Sequence, residues 1–175
     1  EGGWLEDKEH GKGTKTWGNG DKYDGNWVEG KEHGKGTYTY ADDGTKYEGD
    51  WCENMMTGKG TYTYADGTKY LGDMVNGNFH GQGTQTWPNG ERYEGGWLED
   101  KEHGKGIKTW GNGEKYDGEW VAGSMTGKGV KTWPNGDQYD GAFVEGKEHG
   151  KGTKTFAADG KKLDGSWVQG KMTGH

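Results

Sequence analysis

The sequence predicts an all-β fold: tandem β-hairpins set edge to edge in an elongated, twisted, single-layer antiparallel sheet. Three observations predict it. Glycine recurs with a period of 23 residues, and ten Trp, ten Tyr and three Phe recur in register with it. Only 26% of the chain is hydrophobic, too little for a central core. Low hydrophobicity with 29% charged residues would by itself suggest disorder. Evenly spaced indoles argue instead for an array whose units pack on their neighbours.

Gly-x-Gly opens a unit at Gly11, Gly34, Gly58, Gly81, Gly104, Gly127 and Gly150. Residues 1–175 therefore read as one array: a half repeat 1–10, then repeats 11–33, 34–57, 58–80, 81–103, 104–126, 127–149 and 150–173. The half repeat matches Glu94 to His103 letter for letter, which points to recent duplication or to consensus design. With columns counted from the first Gly, columns 1, 3, 10 and 15 are always Gly and column 6 is always Thr. Column 7 is aromatic throughout (Trp17, Tyr40, Tyr64, Trp87, Trp110, Trp133, Phe156). Column 13 is Tyr except for Leu163, and column 17 is Trp except for Met74 and Phe143.

Columns 2–7 alternate and are rich in Thr and aromatics, as a strand should be, and columns 11–18 do the same. Between them PNG, GNG or ADG marks a turn. Pro88 and Pro134 suit the first central position of a type I turn, with the Gly two residues on in the left-handed bulge position. This three-residue loop sets column 5 opposite 13, 3 opposite 15 and 1 opposite 17. The longer loops Ala41–Gly44 and Ala157–Gly160 take up their extra residue in the turn. Gly-rich turns such as VEGKEHG then lead to the next hairpin. Side chains alternate faces along a strand, so columns 7, 13 and 17 share one face, and Gly at 1, 3 and 15 clears space between the rings. The other face carries Thr, Lys and Asp or Glu and is wet. With one face of the sheet covered by nothing, the aromatic rings are expected to be half hidden.

The segments YDGNWVEGKEHGKG (Tyr23–Gly36) and YDGEWVAGSMTGKG (Tyr116–Gly129) resemble the MORN repeat (membrane occupation and recognition nexus), and the likeness covers essentially the whole chain. That resemblance implies repeated hairpins in a curved sheet, no enzymatic activity, and a scaffold or targeting role, with partner peptides bound along a groove. It also implies phospholipid association or dimerisation in some members. Leu163, Met74, Asn54 and Asp100 depart from the pattern locally.

Catalysis needs unlike residues converging once, whereas here polar residues recur in register. His10, His33, His80, His103 and His149 share column 23, but equivalent atoms in adjacent hairpins lie ~9–10 Å apart, too far to share one metal. Gly34-Lys35 lacks the Ser/Thr, the upstream Gly and the helix of a phosphate loop. Acidic columns 11 and 14 read as a solvated charge ladder. No catalytic residue, metal site or cofactor is expected.

The aromatic face is the one candidate site, with Tyr70, Tyr93, Trp97, Tyr116, Trp120 and Tyr139 expected to meet a partner. Met55-Met56, Phe79, Met125 and Met172 add apolar patches. Net charge is −7 without a basic stripe, which excludes nucleic acid and disfavours anionic membranes. The favoured partner is a protein or peptide, basic or amphipathic, held by a non-catalytic scaffold. The alternatives are a peripheral membrane or phosphoinositide-binding module, a carbohydrate binder, and a designed array without native ligand. Exposed sheet ends allow a homodimer. A lone Cys52, no N-glycosylation motif and no apolar run beyond three residues suggest a cytoplasmic location, at the membrane or cytoskeleton.

Overall fold

The computed structural model describes residues 2–6 and 8–174. These form sixteen strands and no helix. The chain divides into two compact units, Glu1–Pro88 and Asn89–His175. The first holds β1 (Gly2–Leu5), β2 (Lys8–Thr16), β3 (Lys22–Val28), β4 (Lys31–Thr39), β5 (Lys46–Cys52), β6 (Met55–Thr63), β7 (Lys69–Val75) and β8 (Asn78–Thr86). The second holds β9 (Arg92–Leu98), β10 (Lys101–Thr109), β11 (Lys115–Val121), β12 (Ser124–Thr132), β13 (Gln138–Val144), β14 (Lys147–Thr155), β15 (Lys162–Val168) and β16 (Lys171–Gly174). Within each unit every strand pairs antiparallel with its predecessor, an open meander in chain order.

The hairpin loop is the one Pro134 predicts. The Trp133 N–H donates to Asp137 O and the Gly136 N–H to Trp133 O, both at 2.9 Å. Gly136 has φ +87°, the left-handed residue that closes a type I turn into a bulge. Across it Lys131 faces Tyr139, Gly129 faces Gly141 and Gly127 faces Phe143, the expected register. The four-residue loops keep that register, with Gly44 N–H reaching Tyr40 O and Gly160 N–H reaching Phe156 O at 2.9 Å.

The connection between repeats is tighter than the sequence suggests. VEGKEHG is not a loop: only Glu29 (φ +50°) and Gly30 (φ +78°) turn, as a type I′ pair, and Val28 already faces Lys31. Asn54 and Asp100, in place of the turn Gly, hold φ of +69° and +66°, a conformation those residues tolerate. Strand therefore resumes at column 21, so column 22 lies on the sheet opposite column 17, as Glu32 does opposite Trp27. The register then slips: Gly25 faces Gly36 but Asn26 faces His33, leaving Gly34 and Lys35 as a bulge. Gly34 takes φ +65° there, and the Gly of column 1 is left-handed in every repeat, which explains its invariance. Consecutive turns are also tied together. Gly30 N–H donates to Glu9 O at 2.9 Å, and Gly123 N–H donates to Glu102 O at 2.9 Å.

Candidate functional site

Columns 13 and 17 build a spine of rings. In the first unit Tyr23 lies between Trp27 (5.0 Å between centroids, 83°) and Trp51 (5.2 Å, 84°), and Tyr70 stacks at 3.7 Å on Phe79, a column 22 ring facing Met74. In the second, Tyr93 lies between Trp97 and Trp120, Tyr116 between Trp120 and Phe143, and Tyr139 between Phe143 and Trp167, all at 4.9–5.3 Å and near-perpendicular. Such edge-to-face pairs contribute about 0.5–1.5 kcal/mol each beyond their burial. The polar tips are satisfied by the sheet itself. Trp120 Nε1 donates to Gly106 O at 3.1 Å, and the Tyr116 hydroxyl donates to the carbonyls of Glu119 (3.1 Å) and Thr126 (3.2 Å). Burial pushes the hydroxyls of Tyr47, Tyr116 and Tyr139 up to about 12, with nearby carboxylates adding to it.

This corrects the expected exposure. The six residues assigned to a partner are not half hidden: Tyr70, Tyr93, Tyr116 and Tyr139 are 0% exposed, Trp120 3% and Trp97 5%. They are the core of a fold without a central core, and their ring faces are spent on one another. Flat glycines beneath them make this possible, because each Tyr ring lies over the facing Gly pair of columns 15 and 3.

What remains reachable is a second tier. The column 7 rings are half-buried and Tyr64 is 37% exposed. Column 5 joins them, sharing their face by the alternation of the strand. In the first unit this tier is mostly aromatic: Tyr38 lies 5.4 Å from Trp17 and 4.8 Å from Tyr40, and Tyr62 lies 4.9 Å from Tyr64, while Lys15 stands over Trp17 at 5.8 Å and Trp27 at 5.3 Å. In the second it is cationic. Lys108 stands over Trp110 and Trp120, Lys131 over Trp133, and Lys154 over Trp133 and Phe156, at 4.7–6.0 Å. Column 5 was missed in the sequence because its residue type varies, although counting by twos from column 7 places it on this face. Of column 22 only Met56, Phe79, Met125 and Met172 were singled out, and it reaches this face through the two-residue turn that sets it opposite column 17.

A cavity of about 490 Å³ opens in the first unit among Trp17, Trp27, Tyr38, Tyr40, Trp51, Lys15 and Glu32. Glu32 is 6% exposed, and its carboxylate makes no ion pair or hydrogen bond among the described residues. Burial among the rings pushes it up to about 7, against the pull of Lys15. Its folded-state value thus lies above the ordinary 4.5, and the folded chain keeps a proton between those values that the unfolded chain has lost. Stability from this group is full below 4.5 and declines as pH rises towards 7. Glu32→Gln is expected to equal wild type near pH 4 and to be more stable at pH 8 by roughly 2 kcal/mol. Urea unfolding at the two pH values checks this, and a less stable variant at pH 8 would refute it.

The opposite face bears a groove of about 570 Å³ lined by Lys12, Lys35, Lys59, Asp24 and Glu48 among others. Its cations are largely spoken for: Lys35 lies 2.6 Å from Asp50, and Lys59 pairs with Asp73. Those bonds hold both aspartates below the usual carboxylate range. Column 18 aliphatics are also exposed in each unit, Val28 and Val75 in the first and Leu98, Val121, Val144 and Val168 in the second, and were not anticipated. Among the described residues no group of three His, Cys, Asp or Glu side chains could hold a metal ion.

Locked turns, a ring spine and glycine pairs beneath it define a hairpin-repeat protein. The chain belongs to the MORN repeat family, whose repeat matches eight consecutive segments: residues 1–22, 23–45, 47–69, 70–92, 93–115, 116–138, 139–161 and 164–175. No curated protein matches the chain. Solved structures of similar fold include the TCP domain of Drosophila melanogaster SAS-4 (dCPAP) in complex with a proline-rich motif of Ana2 (dSTIL). It is 15% identical with a TM-score of 0.53, over 88% of this chain and 83% of that one. The G-box domain of the microcephaly protein CPAP is 12% identical, TM-score 0.40, over 90% and 100% of the two chains. The Danio rerio CPAP TCP10 domain with a STIL peptide is 12% identical, TM-score 0.30, over 86% and 76%.

Proposed function

We propose that this chain is a non-catalytic scaffold that holds a peptide segment of a partner protein on its aromatic face. One observation carries the reading: above a closed ring spine stands an uncovered tier of half-buried aromatics, opening into a cavity of about 490 Å³. A spine already saturated by its own contacts gives a rigid floor, so little order has to be gained on binding. The SAS-4 domain, alike in fold, is seen with a proline-rich motif, and aromatic-lined grooves suit such extended segments. A net charge of −7 favours a basic or amphipathic peptide and opposes adsorption to an anionic membrane.

Contacts fall to the second tier, with the buried tyrosines and tryptophans as its support. Twelve-residue peptides displayed on phage and panned against the chain are expected to enrich basic sequences carrying aromatic or proline residues. Tyr40→Ala combined with Tyr64→Ala is expected to weaken the enriched peptides at least about tenfold while leaving the thermal transition within a few degrees of wild type. Unchanged affinity in this double variant would overturn the assignment of the face.

A further inference from the structure

The cavity beside Glu32 has a filled counterpart in the second unit. There the Lys108 ammonium lies 3.0 Å from Glu102 and 5.8 Å from the Trp120 ring. Glu32, Tyr38 and Trp51 occupy the same columns as Glu102, Lys108 and Trp120, so the first unit repeats the arrangement with the lysine replaced by a tyrosine. The Tyr38 hydroxyl turns away, donating to Asp21 at 2.8 Å. Lys15, on the cavity wall, is drawn to Glu9 at 2.9 Å. A carboxylate is left almost fully buried among rings, in an open cavity, without the cation that its counterpart has.

We propose that this cavity seats a lysine side chain carried by the bound peptide. The inference rests on the peptide-holding reading above and names one contact of it. Charge complementarity selects a cation, since ring faces and a carboxylate both attract one and a desolvated site strengthens both attractions. The chain's own Lys108 selects the form: a flexible apolar stem laid along an indole, with the charged head on the acid. A metal ion is disfavoured because Glu32 is, among the described residues, the one carboxylate of an otherwise mostly aromatic wall that also holds the Lys15 cation, and the Asn54 amide oxygen already accepts from the Glu32 N–H.

The test uses n-butylammonium, a lysine side chain without its backbone, titrated into the whole chain while the indole N–H signals are followed by NMR. Trp51 is expected to shift saturably, and Trp120, whose seat Lys108 fills as Lys15 fills that of Trp27, is expected to stay still. Glu32→Gln is expected to weaken the titration about tenfold. Glu29→Gln, which removes the same charge from an exposed turn, is expected to leave it unchanged. Tyr38→Lys is expected to abolish it, because an internal ammonium takes the seat, and to lower the midpoint at which Glu32 titrates. It also keeps the proposal testable if Glu32→Gln does not fold. Equal titration in Glu32→Gln and wild type, or Trp120 shifting in parallel with Trp51, would overturn the seat. Peptides retained by a chain that does not seat butylammonium would overturn the seat alone. Butylammonium seated while no peptide is retained would count against the scaffold reading and leave the seat.

Discussion

Tyr116→Ala is expected to destabilise the second unit by about 3–5 kcal/mol, the cost of removing a large buried ring. The ring is wholly inaccessible and touches Trp120 at 5.3 Å and Phe143 at 4.9 Å, so its loss breaks the spine on both sides at once. It also frees the carbonyls of Glu119 and Thr126, which share the hydroxyl proton. Tyr116→Phe separates the two effects, since it keeps the ring and is expected to cost only about 1 kcal/mol. Repeat arrays open locally, so amide exchange across β10 to β12 is the sharper readout, with denaturant unfolding beside it. A loss below about 1 kcal/mol for Tyr116→Ala would mean that the spine is not what holds these hairpins together.

Gly129→Ala is expected to cost about 1–3 kcal/mol although it removes no polar group. Gly129 faces Gly118 across the β11–β12 pair, and a methyl placed on it would come within 2.5 Å of the Tyr116 ring. That ring is wedged between Trp120 and Phe143 and has nowhere to retreat. The two substitutions should therefore be strongly non-additive. With Tyr116 already alanine, the added methyl enters the space the ring has vacated, and Gly129→Ala is expected to cost little or even to recover some stability. Additive losses in the double variant would show that column 3 is glycine for some reason other than the ring above it.

Much of this architecture can be read from letters alone, and the reasons are specific. Pro134 with the Gly two residues later selects one hairpin loop, and that loop fixes which columns share a face. Four invariant glycine columns mark two left-handed positions and two places where a ring lies on the backbone. Depth was less legible. A sheet covered on one face by nothing suggests exposed rings, yet Tyr116 and Trp120 are sealed because they tilt onto each other and lie against bare glycine. The second tier was harder still to see. Column 5 is Lys, Tyr or Gln, and column 22 is Glu, Met or Phe; neither looks apolar as a class. A lysine stem covers an indole as well as a leucine would, and a single buried glutamate is conspicuous only once its missing cation is noticed. Column 22 was further disguised by sitting inside what reads as a loop, since EGKEHG contains a two-residue turn and the start of a strand.

The tethering of each turn to the one before it, Gly30 to Glu9 and Gly123 to Glu102, makes length an adjustable property within a unit. Excising 23 residues between equivalent positions rejoins like to like: the same tether, bulge and ring find the partners their neighbours had. Excising 22 leaves one residue over: a hairpin loop takes it up as at Ala41–Gly44, whereas inside a strand it turns the side chains beyond it to the other face. Gene segments encoding such a chain can grow or shrink by whole repeats with little penalty, and by a single residue where a hairpin loop takes it up.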